Sequence, residues 1–391
     1  MMHGDRRWIG IAALLLVGGC PSKPGEKGNG GSAGPAPSAA TIKVGEYGSL
    51  TGATATFGVS TRDGVELARK ELNAAGGVLG KQLEVIVYDD QGKQQEAATA
   101  VTKLITQDKV MAVLGEVASS LSLAAGPIAQ RHGVPMISPS STNPKVTEVG
   151  DMIFRVCFLD PFQGEVMAKF AWNTLKAKKV AIFKDQANAY SVGLAEFFEK
   201  TFTKLGGKVV AQQAYSAGDN DFKSQLTNIR GASPEAIFVP GYYTEVGLIA
   251  RQAKAVGLKV PLLGGDGWDS SKLTEIGGDA IDGSYFSNHY SVENQEPHVQ
   301  KFIAAYDAAY KAKPDGLAAL GYDAMMILAD AIKRAGSDDS RKVRDALAAT
   351  KGFRGVTGLI TIDENRNAKK SAVVLKIQAT GFKYQETIAA D

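Results

Sequence analysis

The sequence predicts an α/β fold of two doubly wound, parallel-sheet lobes, and three observations predict it. From Thr41 onward, short apolar strands alternate with amphipathic helices, the pattern of a parallel sheet covered by helices on both faces. The alternation runs in two series, parted near Asp160–Pro161, which implies one lobe for each. The chain has 391 residues, 44% of them hydrophobic and 22% charged, enough apolar material for two cores of ordinary size.

The first series opens with a strand at Ile42–Ser49. A helix follows over Arg62–Ala74, with Val65, Ala68 and Leu72 on one face and Gly76–Gly77 as its stop. Leu83–Asp89 is the next strand and Gln95–Gln107 the next helix, apolar at Ala97, Val101, Leu104 and Ile105. Strands Val110–Leu114 and Val134–Ser138 complete the series, and Cys157 in "IFRVCFLD" reads as a buried strand thiol. The second series has strands at Val180–Lys184, Lys208–Ala214, Ala236–Pro240 and Val260–Leu263. Helices at Pro297–Lys311, Leu317–Ala335 and Arg341–Ala349 then precede strands at Thr357–Ile362 and Ala372–Gln378.

The N-terminus is a separate problem. Arg6 and Arg7 precede an apolar run, Trp8–Val17, and two small residues, Gly18 and Gly19, lead into Cys20. Residues 1–20 therefore read as an export signal, too short to stay as a membrane span. Cys20 directly after Val-Gly-Gly resembles a bacterial lipobox, in which cleavage exposes the cysteine for lipidation. Residues 21–40, "PSKPGEKGNGGSAGPAPSAA", cannot build a core and read as a flexible tether behind that anchor. Cys20 and Cys157 are the only cysteines, so no intramolecular disulfide is expected in the mature protein.

Several function classes drop out. The net charge of +3 is spread thinly, with no basic block interleaved with aromatics, so no nucleic acid partner is expected. Four histidines lie at no metal-ligand spacing, so neither a metal nor a cofactor is expected. Glycines 45, 48 and 52 miss the dinucleotide spacing, and neither a Walker loop nor a G-x-S-x-G elbow occurs. His132, the nearest histidine to Ser120, falls at the far end of the helix that Ser120 begins and is expected to face solvent.

Ligands of open parallel sheets bind beyond the C-terminal ends of strands, and here six strand-to-helix turns carry polar residues. "EVASS" presents Ser119 and Ser120, and "PSSTNP" presents Ser140, Ser141 and Thr142. Such hydroxyls, with free N–H groups at helix starts, suit a carboxylate, although capping alone also explains a serine at a helix start. "LGGDGWD" presents Asp266, suited to an ammonium, and Tyr190 and Tyr242 offer rings to cover a cation or an alkyl chain. Carboxylate, ammonium and a short apolar body describe an α-amino acid.

The segments "IKVGEYGSLTGATATFG", "GGVLGKQLEVIVYDDQ", "GVPMISPSST" and "VPGYYTEVGLIARQAKAVGLKVPLLGGDGW" resemble, in order, the type I periplasmic binding proteins, and most closely the leucine/isoleucine/valine-binding proteins of ABC importers. The resemblance spans Thr41 to Gln378. It implies two lobes joined by a multi-strand hinge, 41–158 with 291–350 and 159–290 with 351–391. It also implies a periplasmic or cell-envelope location and delivery of a captured amino acid to ABC permease subunits. By the same resemblance, Ser119 holds the ligand carboxylate, Thr142 touches carboxylate and ammonium, and the Ser140 carbonyl accepts from the ammonium. Asp266 stands where the family usually has an acidic residue, glutamate in the closest relatives. Tyr190 and Tyr242 close over the ligand, while Phe57, Val117, Ala118 and Trp268 line the side-chain pocket. A first-lobe disulfide of some relatives is missing, its positions being Gly92 and Ala118.

The expected function is thus an amino-acid-binding lipoprotein of an importer, with a branched-chain or aliphatic ligand and no catalysis. Rivals are a receptor's ligand domain, which needs a signalling segment after Asp391, and an amidase or nucleotide-binding oxidoreductase. Amides, urea, short peptides or aromatic acids are the rival ligands.

Overall fold

The computed structural model describes residues 41–389; Cys20, the leader and the tether lie outside the described residues. The first lobe is built on parallel strands β1 (Thr41–Gly48), β2 (Gln82–Asp89), β3 (Ala112–Leu114), β4 (Met136–Ser138) and β5 (Ile153–Arg155), in the order β2-β1-β3-β4-β5. Helices α1 (Ala55–Ala74), α2 (Gln94–Thr106), α3 (Ser119–His132) and α4 (Lys145–Glu148) connect them. The order reverses at β1, and the crevice beyond β1 and β3 is where such a sheet takes a ligand.

The chain then crosses to the second lobe through α5 (Asp160–Lys169). There β6 (Lys179–Asp185), β7 (Lys208–Tyr215), β8 (Ala236–Phe238), β9 (Leu262–Gly264) and β10 (Tyr285–Asn288) repeat the same order, β7-β6-β8-β9-β10, all parallel. Helices α6 (Ala189–Lys204), α7 (Lys223–Gly231), α8 (Tyr243–Ala255) and α9 (Ser271–Gly277) cover that sheet. Helices α10 (Pro297–Tyr310), α11 (Gly316–Ala335) and α12 (Ser340–Ala348) return to the first lobe, where α11 lies along α1. The two helices approach closely because a Cβ on Gly64 would collide with the Ala318 carbonyl, and one on Gly321 with that of Thr61.

Two features depart from expectation. Strands β11 (Phe353–Gly355), β12 (Gly358–Ile362) and β13 (Ala368–Lys369) form a small antiparallel sheet that bonds to the first lobe, not to the second as expected for 351–391. Packing and hydrogen bonding both hold it there: Ile360 and Ile362 are buried in the same apolar cluster as α11, Asp323 of α11 accepts from Val356 N at 2.7 Å, and Arg366 donates to the Thr147 carbonyl at 2.9 Å. Only then does the chain cross back, and β14 (Ala372–Gln378) and β15 (Gly381–Ile388) extend the second sheet antiparallel, so that sheet is mixed rather than wholly parallel. Helix α1 also starts at Ala55, seven residues before the expected Arg62, which puts Phe57 in a helix rather than a turn. Cys157 is a buried free thiol, but it lies past the end of β5 rather than within a strand. His132 ends α3 and is exposed.

Candidate functional site

The first-lobe wall is made by the turns after β3 and β4. Ser119 and Ser120 begin α3, yet neither hydroxyl caps it. The Ser119 hydroxyl accepts from Asn143 N at 3.2 Å, tying the two turns together, while Ser120 accepts from Ala189 N of the second lobe at 3.1 Å. Ser141 is spent internally, its hydroxyl 2.9 Å from the Glu116 carbonyl, which also accepts from Ser138 at 2.7 Å. Arg155, wholly buried, donates to the Ser141 and Pro144 carbonyls and so fixes the backbone of the 139–144 turn. Ser140 is left with a buried hydroxyl that has no protein partner, and Thr142 is buried in the same turn. Buried polar atoms of this kind ask for an explanation, such as a ligand or water.

The second-lobe wall is different in kind. Asp266 begins a single helical turn after β9 and is 5% exposed. Its Oδ1 accepts from Gln163 Nε2 at 2.7 Å, and its Oδ2 lies 3.0 Å from His289 Nε2. Tyr190 and Tyr242 stack with centroids 5.4 Å apart, and the Tyr190 hydroxyl accepts from Gly267 N at 3.2 Å. Across the lobe boundary, the Phe57 ring meets Tyr242 edge-on at 5.5 Å.

The lobes are in contact. Asn143 Nδ2 donates to the Ala189 carbonyl at 2.8 Å, and the Thr56 and Ser270 hydroxyls lie 2.9 Å apart. Phe57, Val117, Ser140, Tyr190, Tyr242, Asp266 and, unanticipated, Gly267 and Leu317 enclose a cavity of about 10 Å³, roughly the room of one water. Tyr242 also lines an outer groove of about 250 Å³ that reaches Ala118, Ser120 and Asn188, so its ring stands between groove and cavity.

Ala118 therefore lines the outer groove and not the inner cavity, where Val117 takes the wall. Trp268 lines neither of these two spaces. It is wholly buried in the core, its indole N–H donates to the Val239 carbonyl at 3.0 Å, and its ring packs over Gly264. The helical turn that points Asp266 at the cleft points Trp268, two residues later, into the lobe. Ser119 and Thr142 sit behind Ser140 rather than on the cavity surface. Among the described residues, no group of three His, Cys, Asp or Glu side chains is placed to hold a metal.

The comparisons agree with this fold. The periplasmic binding protein family model matches residues 41–381. The chain belongs to that family. It is a family of solute-binding proteins and not of enzymes. A leucine-, isoleucine-, valine-, threonine- and alanine-binding protein of Pseudomonas aeruginosa is 36% identical over 331 residues, 84% of this chain and 87% of that protein. The structure is also similar to a leucine-binding protein of Thermotoga maritima, with a TM-score of 0.86 and 42% identity over 89% of this chain and 99% of the other. A branched-chain amino acid transporter substrate-binding protein of Streptococcus pneumoniae, solved with isoleucine, gives a TM-score of 0.84 and 37% identity over 89% and 98%.

In this periplasmic binding protein the supporting groups were the ones missed from sequence. Asp160, at the start of α5, is wholly buried; burial pushes it well above the usual carboxylate range, with the Thr142 hydroxyl opposing the rise, Asp266 adding to it and Arg155 opposing it. His289 stacks on Phe158 at 3.6 Å, and burial holds its pKa down to about 4, against the pull of Asp266. The signal was present for Arg155 and Asp160. A charged residue inside the apolar run "IFRVCFLD" has to find partners. Gln163 and His289 carried no such mark.

Proposed function

We propose that this protein captures an amino acid, branched-chain or aliphatic, by closure of its lobes and delivers it to the permease of an ABC importer. The observation that carries this reading is the division of the cleft: the unpaired hydroxyl of Ser140 on one wall, with Thr142 buried in the same turn, and the Asp266 carboxylate and two tyrosine rings on the other. Ser119 and Thr142 with neighbouring N–H groups would take the ligand carboxylate. Asp266 and the Ser140 carbonyl would take the ammonium. Phe57, Val117 and Leu317 would face the side chain, which favours an aliphatic one, and relatives named for leucine, isoleucine and valine point the same way. A cavity of about 10 Å³ admits no amino acid, so entry requires the lobes to part and Tyr242 to move with them.

The test is a thermal-shift screen of the twenty amino acids with urea, simple amides and benzoate, followed by calorimetry. Leucine, isoleucine or valine should raise the melting point most; a ligand at 100 times Kd adds about 2.7 kcal/mol. A shift with benzoate or amides alone would overturn the amino-acid reading. Solution scattering should show a smaller radius of gyration with ligand, and an unchanged profile would argue against closure.

The anchor is a separate part of the proposal. Lipidation of Cys20 would hold the protein at the membrane by its tether. Fatty-acid labelling should mark the wild type and not Cys20→Ser, and an unlabelled wild type would end the lipoprotein reading.

A further inference from the structure

The Asp266 carboxylate is gripped by its own lobe. Gln163 of α5 donates to one oxygen at 2.7 Å, and His289, just after β10, reaches the other at 3.0 Å. Both side chains are wholly buried, and His289 is locked in orientation by its stack on Phe158. With its proton on Nε2 the neutral imidazole donates to Asp266, while Nδ1 has no partner in the protein. Asp266 is therefore aimed before any ligand arrives, by groups on two separate segments, α5 and the turn after β10.

A carboxylate has about four acceptor directions. Two are taken by these donors, which leaves the rest for the cleft, where Asp266 lines the cavity. Holding the carboxylate also has an electrostatic consequence. Two N–H donors stabilise a buried negative charge that desolvation disfavours. The other titratable groups around it offer no such help: Asp160 and Asp269 repel it, and Tyr190, Tyr242 and Cys157 are neutral. Lys370 is the cation that bears on His289, and it disfavours a second positive charge there.

We infer that His289 and Gln163 are positioning residues for ligand recognition: together they orient the Asp266 carboxylate, and so make this site select a primary ammonium. This rests on the amino-acid reading above. A side chain as short as aspartate cannot follow the ligand, so the grip fixes where the ammonium must sit. Loss of either donor frees the carboxylate to rotate.

The experiment measures L-leucine affinity by calorimetry at pH 7, with the ligand-free melting point, for the full chain and three variants. His289→Phe keeps a ring to stack on Phe158 but removes the donor. His289→Gln keeps an N–H at similar reach. Gln163→Leu removes the other donor. His289→Phe and Gln163→Leu should each weaken binding about 10- to 100-fold at pH 7, while His289→Gln should recover most of the loss. A merely structural histidine would lower the melting point and leave the affinity of the folded protein unchanged.

A wild type that binds L-leucine with His289→Phe within threefold of it at pH 7, or a loss in His289→Phe that His289→Gln does not recover, overturns the positioning role alone. If His289→Phe fails to fold, Gln163→Leu with binding within threefold of wild type overturns it equally. A wild type that binds none of the twenty amino acids removes the functional reading and this inference with it.

Discussion

The two lobes share one strand order yet spend their polar groups in opposite ways. In the first lobe, hydroxyls and carbonyls are tied to each other around Glu116 and Arg155, and what remains for the cleft is neutral: Ser140, Thr142 and backbone N–H groups. In the second lobe, a carboxylate is held by Gln163 and His289 beneath two stacked tyrosines. The repeated topology places a crevice at the same end of each sheet. On the proposed function, this difference in chemistry would give the cleft a direction, with donors for an anion facing an acceptor for a cation, so that a zwitterion would fit one way round only.

The largest test of that division compares a charge in one lobe with a hydroxyl in the other. Asp266→Asn keeps the shape and removes the charge, leaving the ligand ammonium buried without its partner. Removal of one member of such a pair costs roughly 3–5 kcal/mol, or about two to four decades in Kd. Thr142→Val removes a neutral hydrogen bond and should cost about tenfold. Calorimetry with L-leucine reads both. Equal losses for the two variants would mean that the lobes do not divide the work between charge and hydrogen bonding.

The comparison also shows what was legible in the sequence. Helices with a clean apolar stripe, such as α2 and α10 to α12, were readable to within a residue or two at either end, as was β14. The start of α1 was hidden because "ATFGVST" mixes glycine and β-branched residues, which are poor helix formers, and tertiary packing against α11 overrides them. Strand β5 has three residues, too few for a pattern, and β15 is an edge strand that is largely polar. Asp266, Tyr190 and Tyr242 were expected at the cleft because polar residues at strand ends mark where such sheets take ligands, and all three line the cavity. Trp268 was misplaced because sequence does not show which way a single helical turn faces. Gln163 and His289 act by reaching across more than 100 and more than 20 positions respectively, which no local pattern encodes.

The lobes should also differ in how pH acts on them. Glu46 of β1 is 3% exposed with Oε2 unpartnered, and burial pushes it up to about 8, with Arg62 opposing. The folded protein then keeps a proton that the unfolded chain releases near the ordinary value of 4.5. Stability from this group is whole below that value and falls as pH rises toward 8, by roughly 3 kcal/mol between pH 4.5 and 7. Glu46→Gln should therefore raise stability by about 1–3 kcal/mol at pH 7.5 and change little at pH 4.5. Denaturant melts at the two pH values measure it. A gain of equal size at both would show that Glu46 carries no linked proton.

The smallest expected effect comes from Ser120, and it decides between two jobs for one hydroxyl. As a helix cap it would support the first lobe alone, and Ser120→Ala would cost about 1 kcal/mol of stability with affinity unchanged. The structure instead puts the hydroxyl 3.1 Å from Ala189 N, the first residue of α6 in the other lobe, while Ala118 occupies the cap position of α3. A bond that joins the lobes is made on closing and lost on opening, so its removal should leave the ligand-free melting point within about 0.5 kcal/mol. It should weaken L-leucine binding about three- to tenfold, the worth of one ordinary hydrogen bond, mainly through faster release because open and closed forms differ by that bond. Stopped-flow release with calorimetry separates the cases. A lower melting point with unchanged release would return Ser120 to capping and leave Asn143, which reaches the Ala189 carbonyl at 2.8 Å, as the side chain that fastens the two lobes at this point.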